Sequence, residues 1–208
     1  MTRSLVVALP LVCSLVLAPK AADACGNSVE RVVNQANEIV RNAEALLAKG
    51  QYKKAIEKIR VGYREHVLQF DRYMNLQGRA QRVAAVALVR SKGEVSLGKG
   101  IGGNTDAQRR AAIAWATLIL RHQHAEATTP ALTAELAEAL AQQPSGRGEA
   151  HGLLKDLGER DLMPGAEGWA LLALLSKERG DAEGSKKAVE RCKQIAAPEV
   201  QCEVAETS

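Results

Sequence analysis

The chain has 208 residues, of which 46% are hydrophobic, 25% charged and only 3% aromatic, and its formal net charge is +4. Mild basicity with well-mixed signs and few aromatic platforms excludes a concentrated phosphate-binding face and a base-stacking surface, so nucleic acid is not an expected partner. The length is enough for one domain with an ordinary apolar core and no metal staple.

The opening MTRSLVVALPLVCSLVLAPKAADACG reads as a signal peptide covering residues 1–24. Arg3 supplies the basic start, an apolar run extends from Leu5 to Ala18, and Ala22, Asp23 and Ala24 form a small-residue cleavage pattern. The run is shorter than the ~20 apolar residues that span a bilayer, and no later segment offers an uncharged run of that length. The protein is therefore expected to be exported, either periplasmic or secreted. Losing Arg3, Lys20 and Asp23 with the leader leaves a net charge of +3.

Cleavage after Ala24 would make Cys25 the first residue, the position at which lipoproteins carry their acyl chains, although Asp23 departs from the lipoprotein pattern. Membrane association is expected only if Cys25 is lipidated. Cys13 leaves with the leader, so Cys192 and Cys202 are the natural disulfide pair in an oxidising compartment and Cys25 is the odd cysteine.

From Asn27 onward Val29, Val32, Val33, Ala36, Ile39, Val40, Ala43, Leu46 and Leu47 recur at spacings of three and four, the stripe of an amphipathic helix. Asn27 with Glu30 resembles a capping box, and Gly50 stands where this helix would end. The segment QYKKAIEKIRVGYREHVLQF then predicts a returning helix through Tyr52, Ala55, Ile56, Ile59, Tyr63, Val67 and Phe70. A third helix is expected from about Leu76 to Arg90, with Ala80, Val83, Ala84, Ala87 and Leu88 inward.

Five glycines between Gly93 and Gly103 make helix costly by about 1 kcal/mol each, so residues 92–104 are expected to form an exposed, mobile loop. Thr105 or Asp106 can cap the next helix, AQRRAAIAWATLILRHQH, whose expected inner face carries Ile113, Trp115, Ala116, Ile119 and Leu120. Thr129 followed by Pro130 opens a short helix that ends at Pro144, and EAHGLLKDLGERDL is the next. A last pair, EGWALLALLSKERG and EGSKKAVERCKQI, is divided by Gly180 and Asp181, and residues 198–208 form a polar tail. The expected fold over residues 25–197 is all-α, with four consecutive antiparallel hairpins stacked as a solenoid and another all-α bundle as the alternative.

Two segments, AEALLAKGQYKKAIEKIRVGY and WALLALLSKERGDAEGSKKAVERCKQIAAPE, resemble the tetratricopeptide repeat. In the first, Ala43 takes the small crossing position, Gly50 the turn, Tyr52 the aromatic, Ala55 the small residue of the second helix and Ile59 the large one. In the second, Trp169, Leu172, Ala173 and Gly180 fit, whereas Ala182 and Ser185 depart from the pattern. The resemblance covers about half of the chain. It implies a concave groove lined by the first helix of each pair, with Asn37, Glu44, Leu47, Glu167, Leu174 and Lys177 as groove positions and a protein or peptide as partner.

Features that suggest chemistry each have a plainer reading. The run from Gly93 to Gly100 falls short of a phosphate-binding loop because Gly100 stands where a hydroxyl should coordinate magnesium, so nucleotide binding is the minor alternative. His122 and His124 are two apart on a helix, point in different directions and suit a helix C-terminus better than a metal. Glu159, Asp161 and Glu178 lie in ordinary charged stretches, and Trp115 and Trp169 sit among Ala and Leu as core residues. No catalytic residue, metal or cofactor is expected, and the expected function is that of an exported, non-enzymatic interaction module or scaffold. An envelope lipoprotein anchored through Cys25 is the other alternative.

Overall fold

The computed structural model describes residues 22–64, 76–196 and 201–202, with side chains at 30–63, 76–196 and 201–202. Residues 1–21, which hold most of the expected leader, lie outside the described residues, as do Val67 and Phe70 of the second expected helix and most of the tail.

Eight α-helices are found among the described residues: α1 (Ala22–Ala48), α2 (Tyr52–Arg64), α3 (Leu76–Arg90), α4 (Asp106–Glu126), α5 (Pro130–Ala141), α6 (Arg147–Glu159), α7 (Ala166–Glu178) and α8 (Ala182–Ile195). The only strand-like feature among these residues is an isolated bridge between Gly98 and Ile101. The all-α expectation holds because every apolar stripe has a helical period and its punctuation stops the helices where anticipated. Thr105 forms a capping box with Gln108 at the start of α4, each backbone N–H reaching the other's side chain at 3.2 Å. Thr129 accepts from the Leu132 N–H before α5, and Asp181 from the Gly184 N–H before α8. The start of α1 differs from expectation, because the Ala-rich approach carries the helix back to Ala22 and leaves Asn27 a turn inside it. The expected cleavage point after Ala24 thus falls within α1.

Consecutive helices pack as the pairs α1–α2, α3–α4, α5–α6 and α7–α8, and each pair rests on the next through α2–α3, α4–α5 and α6–α7. The odd-numbered helices also touch in succession, α1 with α3, α3 with α5 and α5 with α7. The even-numbered helices do not pack closely on one another among the described residues. The result is a nearest-neighbour stack with an odd-helix face and an even-helix face.

Burial follows from this arrangement. α3 is enclosed by α1, α2, α4 and α5, so the whole of Val83–Val89 is buried, including Ala85, Val86 and Val89, which a one-sided stripe does not select. α5 is enclosed likewise. One apolar cluster joins Ile56 to the buried residues of α3–α8, and a smaller one joins α1, α2 and the first turns of α3, with Leu47 packed against both. Cys192 and Cys202 form a disulfide that pins the chain after α8 into the larger cluster.

Residues 92–104 form the non-helical segment that their glycines suggest, exposed at Lys92, Glu94, Ser96, Lys99, Gly100 and Asn104, but anchored between these positions. Val95, Leu97 and Ile101 pack on the main cluster, and Gly93 and Gly102 are buried. Hydrogen bonds from Gly103 N–H to Gly93 C=O (2.9 Å), from Leu97 N–H to Ile101 C=O (2.9 Å) and from Gly102 N–H to Gln108 C=O (3.1 Å) fold the segment onto itself and onto α4. Gly93 and Gly102 both hold φ near +75° at points where a Cβ would lie 2.7 Å from the Arg109 backbone and 2.0 Å from the Val95 carbonyl oxygen. These glycines serve close backbone approach, not looseness.

Candidate functional site

The odd-helix face is laced by arginine–glutamate pairs that run from one helix to the next. On α3, Arg79 grips Glu44 of α1 through two hydrogen bonds (3.0 and 2.7 Å), and Arg82 grips Glu135 of α5 (2.6 and 2.8 Å). Arg90 does the same with Glu138 (2.9 and 3.0 Å). The guanidinium fork matches a carboxylate in two-point geometry, so each pair fixes the spacing of its helices as well as neutralising charge. For Arg90, burial works against the charged form, but the hydrogen bonds and charge of Glu138 outweigh it and raise the pKa. Hydrogen bonding to Glu135 is the main cause that raises Arg82 in the same way.

At the C-terminal ends of these helices the face opens into two clefts of about 670 and 630 Å³ that share Arg90 and Lys92. The first spans the α1–α2 turn and the end of α3, where Tyr52, Lys53, Lys54, Glu94 and Val95 line it. The second continues over α5 to α7, with Val89, Ala141, Pro144, Leu171 and Leu174 as its apolar lining. Gln142 donates its side-chain amide to the Val89 carbonyl at 2.5 Å, so α3 and α5 are tied together beneath the shared rim. A further cleft of about 680 Å³ lies over α3 between α2 and α4, where Tyr63, Gln77, Leu97 and Trp115 line it.

Of the six expected groove residues, only Leu174 lines these clefts. Glu44 is on the odd-helix face but is held by Arg79, and Leu47 fills the seam between the two apolar clusters. Asn37 is half-buried on α1, Lys177 is half-buried near the end of α7, and Glu167 is exposed in the first turn of α7. The family pattern assigns positions repeat by repeat, whereas the clefts arise where longer helices and the Gly-rich segment offset the pairs. Leu171, Arg90, Lys92, Lys53 and Lys54 were not selected. The WALLALL run carried a signal for Leu171, because a helix that is apolar on more than one side has a second surface to cover.

The remaining candidates fall into place singly. His122 pairs with Glu126 at 3.4 Å, and His124 Nε2 meets Thr133 Oγ1 at 3.0 Å, which ties α4 to α5. Glu159 faces Lys155, Asp161 meets Arg191, and Glu178 meets Arg147, so these three carboxylates point to three separate cations. VAAVALV is helix within α3, so the strand that a phosphate-binding loop requires does not precede Gly93. Trp169 is buried, with the Arg191 guanidinium 5.5 Å from its ring centre, whereas Trp115 is only half-buried and borders a cleft. Trp115 packs at the margin of the main cluster, because α4 turns Ala112, Ala116 and Leu120 fully inward.

No protein-family model matches the chain, and no curated protein or solved structure is significantly similar to it. No helix among the described residues is long and apolar enough to cross a membrane.

Proposed function

We propose that this chain is an exported, tetratricopeptide-like interaction module that presents its odd-helix face to another polypeptide. The observation that carries this reading is the continuous open surface across α3, α5 and α7, on which Leu171 and Leu174 stand half-exposed beside Arg90 and Lys92 on a floor tied by Gln142. Helices that are cross-linked by two-point ion pairs offer a surface shaped in advance, which lowers the ordering cost of association. The nearest-neighbour stacking and the residues shared with the repeat pattern support the family likeness. The Cys192–Cys202 disulfide and the leader-like opening support export.

The test is site-specific photo-crosslinking in the native host. A photoreactive residue at Leu174 is expected to trap a discrete polypeptide, and the same residue at Leu118, 67% exposed on α4, is not. Identical crosslinking patterns from the two positions would remove the odd-helix face as the binding surface.

A further inference from the structure

The charges around the two joined clefts do not cancel. Both lining carboxylates are already engaged, Glu138 by Arg90 and Glu94 by Arg109 at 3.8 Å, and the lining Arg147 is engaged by Glu178 at 3.2 Å. What remains is Lys53, Lys54 and Lys92, all exposed and without an ion-pair partner among the described residues. They stand at one end of a surface whose other end is the apolar lining of Ala141, Pro144, Leu171 and Leu174.

Resting on the reading of the odd-helix face as a binding surface, we infer that its partner is a polypeptide segment that combines acidic side chains with neighbouring aliphatic ones. The acidic part lies over Lys53, Lys54 and Lys92, and the aliphatic part sits against Leu171 and Leu174. Complementary charge favours an anionic partner and speeds its encounter, while burial of aliphatic side chains at the far end supplies contact that is less sensitive to salt. Phosphodiester chains also carry negative charge, but they bring nothing to cover Leu171 and Leu174, and the lining offers Tyr52 as its one aromatic ring for a base.

The experiment is selection of a random displayed-peptide library on the purified protein, followed by affinity measurements on the enriched peptides and on an oligothymidylate. The expected result is enrichment of Asp or Glu close to Leu, Ile or Val, with affinity that declines as sodium chloride rises. The combined Lys53→Glu, Lys54→Glu and Lys92→Glu variant is expected to weaken binding by roughly tenfold or more, from three surface charge contacts reversed in sign. These lysines are exposed, so the variant keeps its helical circular dichroism, and Leu174→Ser weakens the same peptides. Enriched peptides without excess acid that are lost on Leu174→Ser but indifferent to the lysine reversal would overturn the acidic assignment and leave the binding face standing. Peptides indifferent to both changes, or no enrichment at all, would overturn both readings. Tighter binding of the oligothymidylate than of any peptide, lost on the lysine reversal, would replace the polypeptide with a polyanion.

Discussion

Gly102→Ala separates a built segment at residues 92–104 from a slack one. Gly102 holds φ +75°, a left-handed conformation that costs a side-chain-bearing residue about 1–2 kcal/mol. The added methyl would also lie 2.0 Å from the Val95 carbonyl oxygen and 3.0 Å from its carbon, against ordinary contact beyond 3.4 Å. Relief requires the backbone at Val95 to retreat by more than an ångström, which lifts the partly buried Val95 side chain off the main cluster and forfeits about 1–2 kcal/mol, a fraction of what full burial contributes. The expected loss is about 2–4 kcal/mol, or on the order of 10 °C in midpoint for a chain of this size. Gly98→Ala is the matched control. It shares the left-handed strain, with φ +99°, but nothing lies within 4 Å of its Cβ, so only the backbone cost of about 1–2 kcal/mol is expected. Thermal and urea unfolding followed by circular dichroism measure both. If Gly102→Ala melts within a degree or two of the parent, the segment is loose and the packing derived for it is mistaken.

Reduction of the disulfide, or Cys202→Ser, is expected to cost about 3 kcal/mol from the released loop, read as a lower urea midpoint; an unchanged midpoint would mean that the tail contributes nothing to the folded state. Leu154→Ala, at a fully buried site on α6, is expected to cost about 2–5 kcal/mol, whereas Leu118→Ser on the exposed side of α4 stays within about 0.5 kcal/mol of the parent in the same assay. His151 Nε2 contacts Ser176 Oγ at 3.2 Å, and burial, then Arg179 and Lys155, hold the imidazole pKa below its ordinary value of about 6.5 while Asp181 pulls weakly the other way. Because the unfolded chain binds this proton more readily, stability is full above pH ~6.5 and falls as the pH drops from there towards the folded-state pKa. His151→Gln is expected to flatten that part of the stability profile, and an identical slope in the variant would show that another group is responsible.

The helices were legible because each stripe carries its own period and stop signal: Gly50 after Leu47, Thr105 before Asp106, Pro130 after Thr129, Asp181 after Gly180. Which faces are buried was legible only for helices with one neighbouring layer. α3 and α5 have neighbours on several sides, and a periodic reading has no means of adding Ala85, Val86 or Val89 to the inward set. The glycines of residues 92–104 signalled a break between helices but not its anchoring, because composition reports the entropic cost of ordering glycine but not the backbone contacts that only glycine permits. Of the residues that line the two joined clefts, Leu174 alone was legible. Glu44 and Arg79 are 35 residues apart, and nothing local indicates that one of them occupies the other. Lys53, Lys54 and Lys92 look like any solvated lysines until the fold sets them around one opening.

The restriction of contacts to adjoining helices has a kinetic consequence. Among the described residues each helix packs closely only on helices one or two elements away in the chain, so assembly requires few distant closures and belongs to the fast, locally directed kind. A chain delivered N-terminus first can zip up pair by pair as it emerges, without waiting for its last residues. The same arrangement lets pulling at one end peel the molecule progressively, and the Cys192–Cys202 crosslink is placed to resist that at the C-terminal margin.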